Sequence, residues 1–321
     1  MSTRGGELLV LGWHSIEASW CFPRRRALSV GGFAWQVALL RRLANVVPLE
    51  DGLASLAEGR PLPPRAVALT FDDGYADTLT VVAPLLRRHR MPATFFVCPG
   101  LLERTVRPWW EVASWAIRAG RSPRVDWRGR RYSLSVPRNR RAAMEVVLHD
   151  LKETGHVDRD LAISQLVESC RPAAALDTDR LLLDWPGARR LVESGFTVGS
   201  HTVSHWILGQ ERETTQKQEV VEAREALADR LGIEAHTFCY PNGRACDFTG
   251  ETMEIVANAG HRFAITTIPG RNDAGTLPWT VRRVMLDAHH GPAAFVALLD
   301  TDRKGARPLP AALRANKDRA C

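Results

Sequence analysis

Two adjacent carboxylates, Asp72 and Asp73, close the run Ala66-Val67-Ala68-Leu69-Thr70-Phe71 and precede Gly74-Tyr75. Neighbouring like charges raise the cost of ionising each other. A chain carries such a pair where a cation lies between the two or where one carboxyl keeps a proton, the setting of metal-assisted acid–base chemistry. A solvated turn with an Asx cap gives the same dipeptide, so this segment alone leaves both readings open. A second element, Gly199-Ser200-His201-Thr202-Val203-Ser204-His205, comes after the run Phe196-Thr197-Val198. Two histidines four apart share one face if the backbone turns helically past the strand. That spacing offers two imidazoles to one metal, although unrelated surface or core histidines produce it as well. Both elements sit just beyond a short buried strand, and this coincidence favours a shared site. One aspartate with two imidazoles leaves room for water, the make-up of a catalytic metal site rather than a closed structural one. The third element, Thr237-Phe238-Cys239-Tyr240-Pro241-Asn242-Gly243, is a β-type run broken by a Pro-x-Gly turn. Such a turn can aim backbone N–H groups at a ligand.

The elements that must position these residues alternate between strands and helices, which argues for a parallel α/β architecture. In a barrel of parallel strands the C-terminal strand ends converge on one face. The first strand is read at residues 8–14, ending in His14, and a helix at residues 33–43. The Asp-Asp strand spans residues 66–71, a helix residues 77–90 with Val81, Leu85 and Leu86 inward, and a third strand residues 93–97. From about 101 to 183 the regular alternation breaks. A helical run to Ala119, a hairpin over residues 125–134 and helices at 138–153 and 159–170 read as an α-rich insertion over the barrel. Its tryptophans are expected to be core more often than a sugar-binding wall. Asp184 and Pro186 fit the start of a helix. Residues 211–231 alternate in charge and read as a helix with a solvated outer face. Strands are expected at 263–267 and 280–286 and a closing helix at 292–299. The division is one domain over residues 1–301 and a basic tail at 302–321.

The order Thr-Phe-Asp-Asp-Gly, Ser-His-Thr-x-x-His and Phe-x-Tyr-Pro-x-Gly resembles the polysaccharide deacetylases, carbohydrate esterase family four, from about Leu8 to Leu299. The resemblance implies the NodB-homology fold, a distorted (β/α) barrel of about seven parallel strands. It also implies roles. Asp72 is the general base; Asp73, His201 and His205 bind one divalent metal, zinc in most members and cobalt or another transition ion in some. The backbone N–H of Tyr240 helps hold the oxyanion. In much of the family the general acid is a histidine in a late Leu-His pair, which this chain lacks; His289 and His290 come nearest, with the wrong spacing. Leu8-Leu9-Val10-Leu11-Gly12-Trp13-His14 resembles the Leu-x-Tyr-His opening of the exopolysaccharide-deacetylase branch, where the acid comes from the first strand. His14 is therefore the candidate acid, with a strand-capping histidine as the plain alternative. Tyr75, Pro241, Trp279 and Arg282 complete the candidate substrate-binding set, and Arg282 or Arg283 could orient Asp72 by a charge-assisted hydrogen bond.

Composition narrows the partners. The 321 residues suffice for one barrel-sized domain. The net charge of +7 comes from scattered arginines such as Arg24-Arg25-Arg26 and Arg140-Arg141. Without a recognisable nucleic-acid motif, this excludes nucleic acid as the expected partner. None of the six cysteines forms a Cys-x-x-Cys pair, and Cys98 and Cys239 read as buried small residues. With no secretion signal and no apolar run long enough for a membrane, the expected location is cytoplasmic. Oligomeric state is not legible. The expected activity is removal of N-acetyl, less often O-acetyl, groups from a saccharide by a metal-activated water. The alternatives are a deacylase of a small cytoplasmic amino-sugar or other amide, and a non-catalytic glycan-binding relative.

Overall fold

The computed structural model describes residues 6–22, 29–286 and 290–299. Ten strands occur among them: β1 (Leu8–Trp13), β2 (Asn45–Val46), β3 (Ala66–Phe71), β4 (Thr94–Val97), β5 (Arg124–Trp127), β6 (Arg130–Ser133), β7 (Thr197–Ser200), β8 (Thr237–Cys239), β9 (Phe263–Ile265) and β10 (Val284–Met285). The main sheet runs β10-β1-β3-β4-β7-β8-β9, with β2 paired to the start of β3. All its pairings are parallel. A parallel bridge between Ile265 and Val281 brings the segment before β10 alongside β9. The sheet thus curls almost onto itself, as a distorted (β/α) barrel.

Strand sequences without polar alternation result from burial on both faces. Leu9, Leu11, Trp13, Val67, Leu69, Phe71 and Phe95 point outward into a core shared with Phe33, Val37 and Leu40 of the Val30–Leu43 helix. Leu8, Val10, Ala66, Ala68, Phe96, Ile265 and Val281 point into the barrel. Side chains alternate with a period of two, so Thr70 and Asp72 continue the inward row of Ala66 and Ala68.

Between β4 and β7 lie the Pro99–Leu102, Trp109–Ala119, Pro137–Lys152, His156–Cys170 and Thr178–Leu181 helices and the antiparallel β5–β6 hairpin. They enclose a core of their own, in which Trp109, Trp110 and Trp115 pack with Met144, Val147 and Leu166. Tyr75, Cys98 and Ile207, from the barrel's C-terminal loops, join that core, so the insertion is seated on the end where the chemistry-bearing residues lie.

Several elements differ from expectation. The helix after the Asp-Asp turn opens with a π-helical turn at Thr78–Val82. With that turn Val82 and Leu86 are buried in the core, and Val81 and Leu85 pack half-buried against it. The late strand is reduced to β10, because Pro278–Thr280 forms a 3-10 turn. Helices Leu49–Ala57 and Gly250–Asn258 were not anticipated; a capping box of Thr249 and Thr252 starts the second. The Glu213–Leu231 helix is not solvated all round, since Gln216, Glu219, Val220, Ala223 and Leu227 are buried. Residues 302–321 and His289 lie outside the described residues. No helix among the described residues is long and apolar enough to cross a membrane.

Candidate active site

Asp72 and Asp73 occupy the turn that ends β3, and the two carboxylates face different partners. The Asp72 N–H still donates to Trp13 O at 2.9 Å, as an extension of the β1–β3 ladder. Its side chain meets Arg283 in a bidentate pair, Nη1 to Oδ1 at 2.7 Å and Nη2 to Oδ2 at 2.6 Å. Arg283 also donates to Thr70 Oγ1 at 3.1 Å and to Thr266 O at 3.2 Å. Both members of the pair are buried. Burial alone would push the Asp72 carboxyl up, but Arg283 and His201 hold it below the usual carboxylate range. Gly12 makes room for this pair: a Cβ there would stand 2.9 Å from Arg283 Cδ and 2.5 Å from Met285 Sδ.

The orienting arginine is thus Arg283, and Arg282 is corrected. Val281 and Arg283 share the inward parity, while Arg282 points out and is exposed. The charged neighbour of Asp72 is set by the strand's two-residue period.

Asp73 has left-handed backbone, φ 70°. This turns its side chain away from Asp72 toward two imidazoles, with Oδ1 at 3.4 Å from His201 Nε2 and 3.2 Å from His205 Nε2. The relative exposures of Asp72, Asp73, His201 and His205 are 2%, 3%, 1% and 5%, so solvent cannot screen this cluster. His201 lies just past β7, and its N–H continues the ladder to Val97 O at 3.1 Å. Its Nδ1 lies 2.6 Å from Cys239 O; a carbonyl only accepts, so Nδ1 carries the proton and Nε2 is left to face Asp73. The loop from His201 to His205 is not the expected helical turn. Thr202 and His205 have φ 64° and 56°, and the loop is held by Glu219. Ser204 N–H donates to Glu219 Oε2 at 2.8 Å and Val203 N–H to Glu219 O at 3.2 Å. The His205 N–H donates to Thr202 Oγ1 at 2.9 Å, and Trp110 lies against the His205 ring with centroids 4.2 Å apart. Non-glycine residues in left-handed conformations cost on the order of 1–3 kcal/mol each, and three of them carry or join these ligands.

Asp73 Oδ1 is buried and has no hydrogen-bond donor. Two nitrogens whose lone pairs can face it converge on the same point. Such a set of acceptors is stable only around a cation. Burial opposes the charged form of His201, yet Cys239 and the neighbouring carboxylates of Asp73 and Asp72 hold its pKa well above the usual imidazole range. A proton is the smallest cation able to bridge these acceptors. Burial also opposes ionisation of Asp73, but His205 and His201 hold its carboxyl well below the usual range. Burial lowers His205. Asp73, His201 and His205 therefore fit a divalent metal ion, with nitrogen and oxygen donors suited to zinc or cobalt.

The other sequence candidates are distributed unevenly. His14 comes directly after β1, is half-buried, and lies close enough that its charge lowers both Asp72 and Asp73. His290 stands just before the Pro292–Leu299 helix. Tyr240 is corrected as an oxyanion donor: its N–H donates to Ile265 O at 3.1 Å. Its ring stacks on Phe248, centroids 4.2 Å apart, and its hydroxyl donates to Trp279 O at 3.1 Å. Tyr75 is corrected as a substrate contact. It is buried, donates to Glu111 Oε1 at 2.7 Å and accepts from Trp110 Nε1 at 2.8 Å. Pro241 is buried, and Trp279 packs half-buried on the Tyr240–Phe248 cluster. Glu219 and Glu111 went unnoticed in the sequence: Glu219 looks like an ordinary helix-surface charge, and Glu111 is the one acid in a mostly apolar helix.

Comparison with known proteins agrees with this geometry. The family model described as polysaccharide deacetylase matches residues 59–264, and the chain belongs to that family. A poly-beta-1,6-N-acetyl-D-glucosamine N-deacetylase of Escherichia coli K12 is 33% identical over 88 residues, 27% of this chain and 13% of that protein. The chain therefore matches only a small part of that relative's length. Among solved structures, the Streptococcus pyogenes deacetylase PplD in complex with acetate superposes with a TM-score of 0.63 at 16% identity, over 92% of this chain and 99% of that one. IcaB from Ammonifex degensii does so with a TM-score of 0.59 at 21% identity, over 92% and 97%. At these identities the structural likeness bears on the fold.

Proposed function

We propose that this protein is a metal-dependent hydrolase that removes N-acetyl groups, O-acetyl less often, from a saccharide. The observation that carries this reading is the convergence of Asp73, His201 and His205 on one point, with Asp72 held ionised beside it by Arg283. Family membership and the fold shared with an acetate-bound deacetylase support it.

An amide is a weak electrophile and its amine a poor leaving group. Asp73, His201 and His205 would hold a zinc or cobalt ion, which would supply an activated water and polarise the carbonyl. Asp72 is the base that takes the proton of the attacking water. Although Arg283 occupies both its oxygens, each retains a lone pair. Arg283 fixes the carboxylate plane and keeps it ionised. His14 then supplies a proton to the departing nitrogen. His14→Ala is expected to keep the bound metal and lose ~10²–10⁴-fold in amide turnover. Metal content and acetate release measured on the same sample check this.

The test of the whole reading is acetate release from N-acetylated glycans. Chelation should abolish it and added zinc or cobalt should restore it. Turnover indifferent to chelation removes the metal-water mechanism. The near-complete burial of the four residues favours a second reading, a small amino-sugar or other amide in place of a polymer. Comparing acetate release from polymer, oligomer and monomer decides between them.

A further inference from the structure

The segment after His14 is held by two buried carboxylates that the hydrolytic steps do not use. Asp77 Oδ2 accepts from Ser15 Oγ at 2.9 Å and from the N–H groups of Ile16 and Glu17 at 2.6 Å each. This fixes the backbone where it leaves β1. Glu111, on the insertion's Trp109–Ala119 helix, accepts from Ser19 Oγ at 2.6 Å, Cys21 N–H at 3.0 Å and the Tyr75 hydroxyl at 2.7 Å. The turn it anchors is closed by Ser19 N–H to Phe22 O at 2.9 Å and Phe22 N–H to Ser19 Oγ at 2.9 Å. The product of this network is a stack. The Phe22 ring lies on the His14 imidazole, centroids 4.9 Å apart and planes 22° from parallel, with Tyr75 edge-on to Phe22 at 6.0 Å.

A half-exposed histidine just past a strand end keeps rotamer freedom, and a proton donor about 1 Å out of place loses on the order of 10² in rate. Stacking on a ring that is itself pinned removes that freedom. The geometry points to Phe22 and Glu111 as positioning residues for proton donation. Glu111 anchors the Ser19–Phe22 turn, and Phe22 sets the plane of the His14 ring. The inference rests on the reading of His14 as the acid. It makes the insertion, through one helix, a determinant of how the leaving group is protonated.

The test compares an N-acetylated glycan oligomer with an activated aryl acetate. The amine of the first must be protonated to leave; the phenolate of the second leaves without a proton. Phe22→Leu and Glu111→Gln should each lower the ratio of amide to ester turnover about tenfold or more, as a smaller copy of His14→Ala. The effect belongs in kcat, with KM and bound metal at wild-type values. If His14→Ala shifts the ratio and both variants leave it alone, positioning is wrong and the acid assignment stands. If His14→Ala itself leaves the ratio unmoved, the acid assignment fails and positioning falls with it. Phe22 is half-buried, so its leucine variant decides the matter should Glu111→Gln not fold.

Discussion

Arg283→Met is expected to destabilise the protein by about 3–5 kcal/mol, because it leaves the Asp72 carboxylate buried with no cation against it. Methionine fills the stem's volume next to Gly12, so the loss belongs to charge and hydrogen bonding rather than to a cavity. The sign with pH is specific. In the wild type, Arg283 depresses the Asp72 pKa. The stabilisation from this pair is therefore present above the usual carboxylate range and lost as pH falls through the depressed value. In the variant burial is opposed only by the weaker effects of His201 and His14, so the carboxyl rises from its wild-type position. The variant carries its full penalty at neutral pH and recovers part of it as Asp72 takes up a proton. Unfolding curves for the two proteins should accordingly be far apart at neutral pH and converge on acidification. The acid limb of the variant's activity should move upward in pH. Parallel curves at every pH would show that Arg283 is not the counter-charge of Asp72.

Asp72→Asn has the largest expected effect on turnover, a loss of ~10²–10⁴-fold with metal binding retained. Asparagine keeps the shape and can still accept from Arg283 through one oxygen, but it has no basic oxygen to receive a proton. The proposed metal ligands Asp73, His201 and His205 are untouched, so a titration with zinc or cobalt should match the wild type. Coupling with Arg283 makes a sharper check. Residues in one ion pair are non-additive, and adding Arg283→Met to Asp72→Asn should cost less stability than Arg283→Met alone, since no buried carboxylate is left. Turnover should not return. Equal activity of Asp72→Asn and the wild type would remove Asp72 from proton transfer.

The barrel and the clustering of Asp73, His201 and His205 could be read from the chain because each motif abuts a short, largely apolar strand. Ala66–Phe71 and Phe196–Val198 mark buried parallel strands, and residues just past the ends of such strands collect on one face. The mistakes have local causes. Arg282 and Arg283 are adjacent, and the flanking Val281, Val284 and Leu286 do not share one parity, so the pattern does not say which arginine turns inward. The Tyr240 N–H looked available because a Pro-x-Gly turn comes next, but the ladder to β9 extends one residue beyond the strand and takes it. Tyr75 looked accessible beside a glycine turn until the insertion covered it with Trp110 and Glu111. Glu219 was beyond reach, since a buried glutamate on a charged helix differs from its neighbours only in what the rest of the fold brings to it, whereas Glu111 is the one acid in the mostly apolar Trp109–Ala119 helix.

Asp73, Thr202 and His205 adopt a backbone shape that glycine or asparagine holds at lower cost. Selection for heat tolerance alone would exchange them, and each exchange would relax the chain. That an aspartate and a histidine occupy such places marks a compromise in which backbone ease gives way to aiming an oxygen and a nitrogen at one spot. Engineers seeking a hardier version of this protein should therefore treat the tempting positions along these two loops as the ones to leave alone.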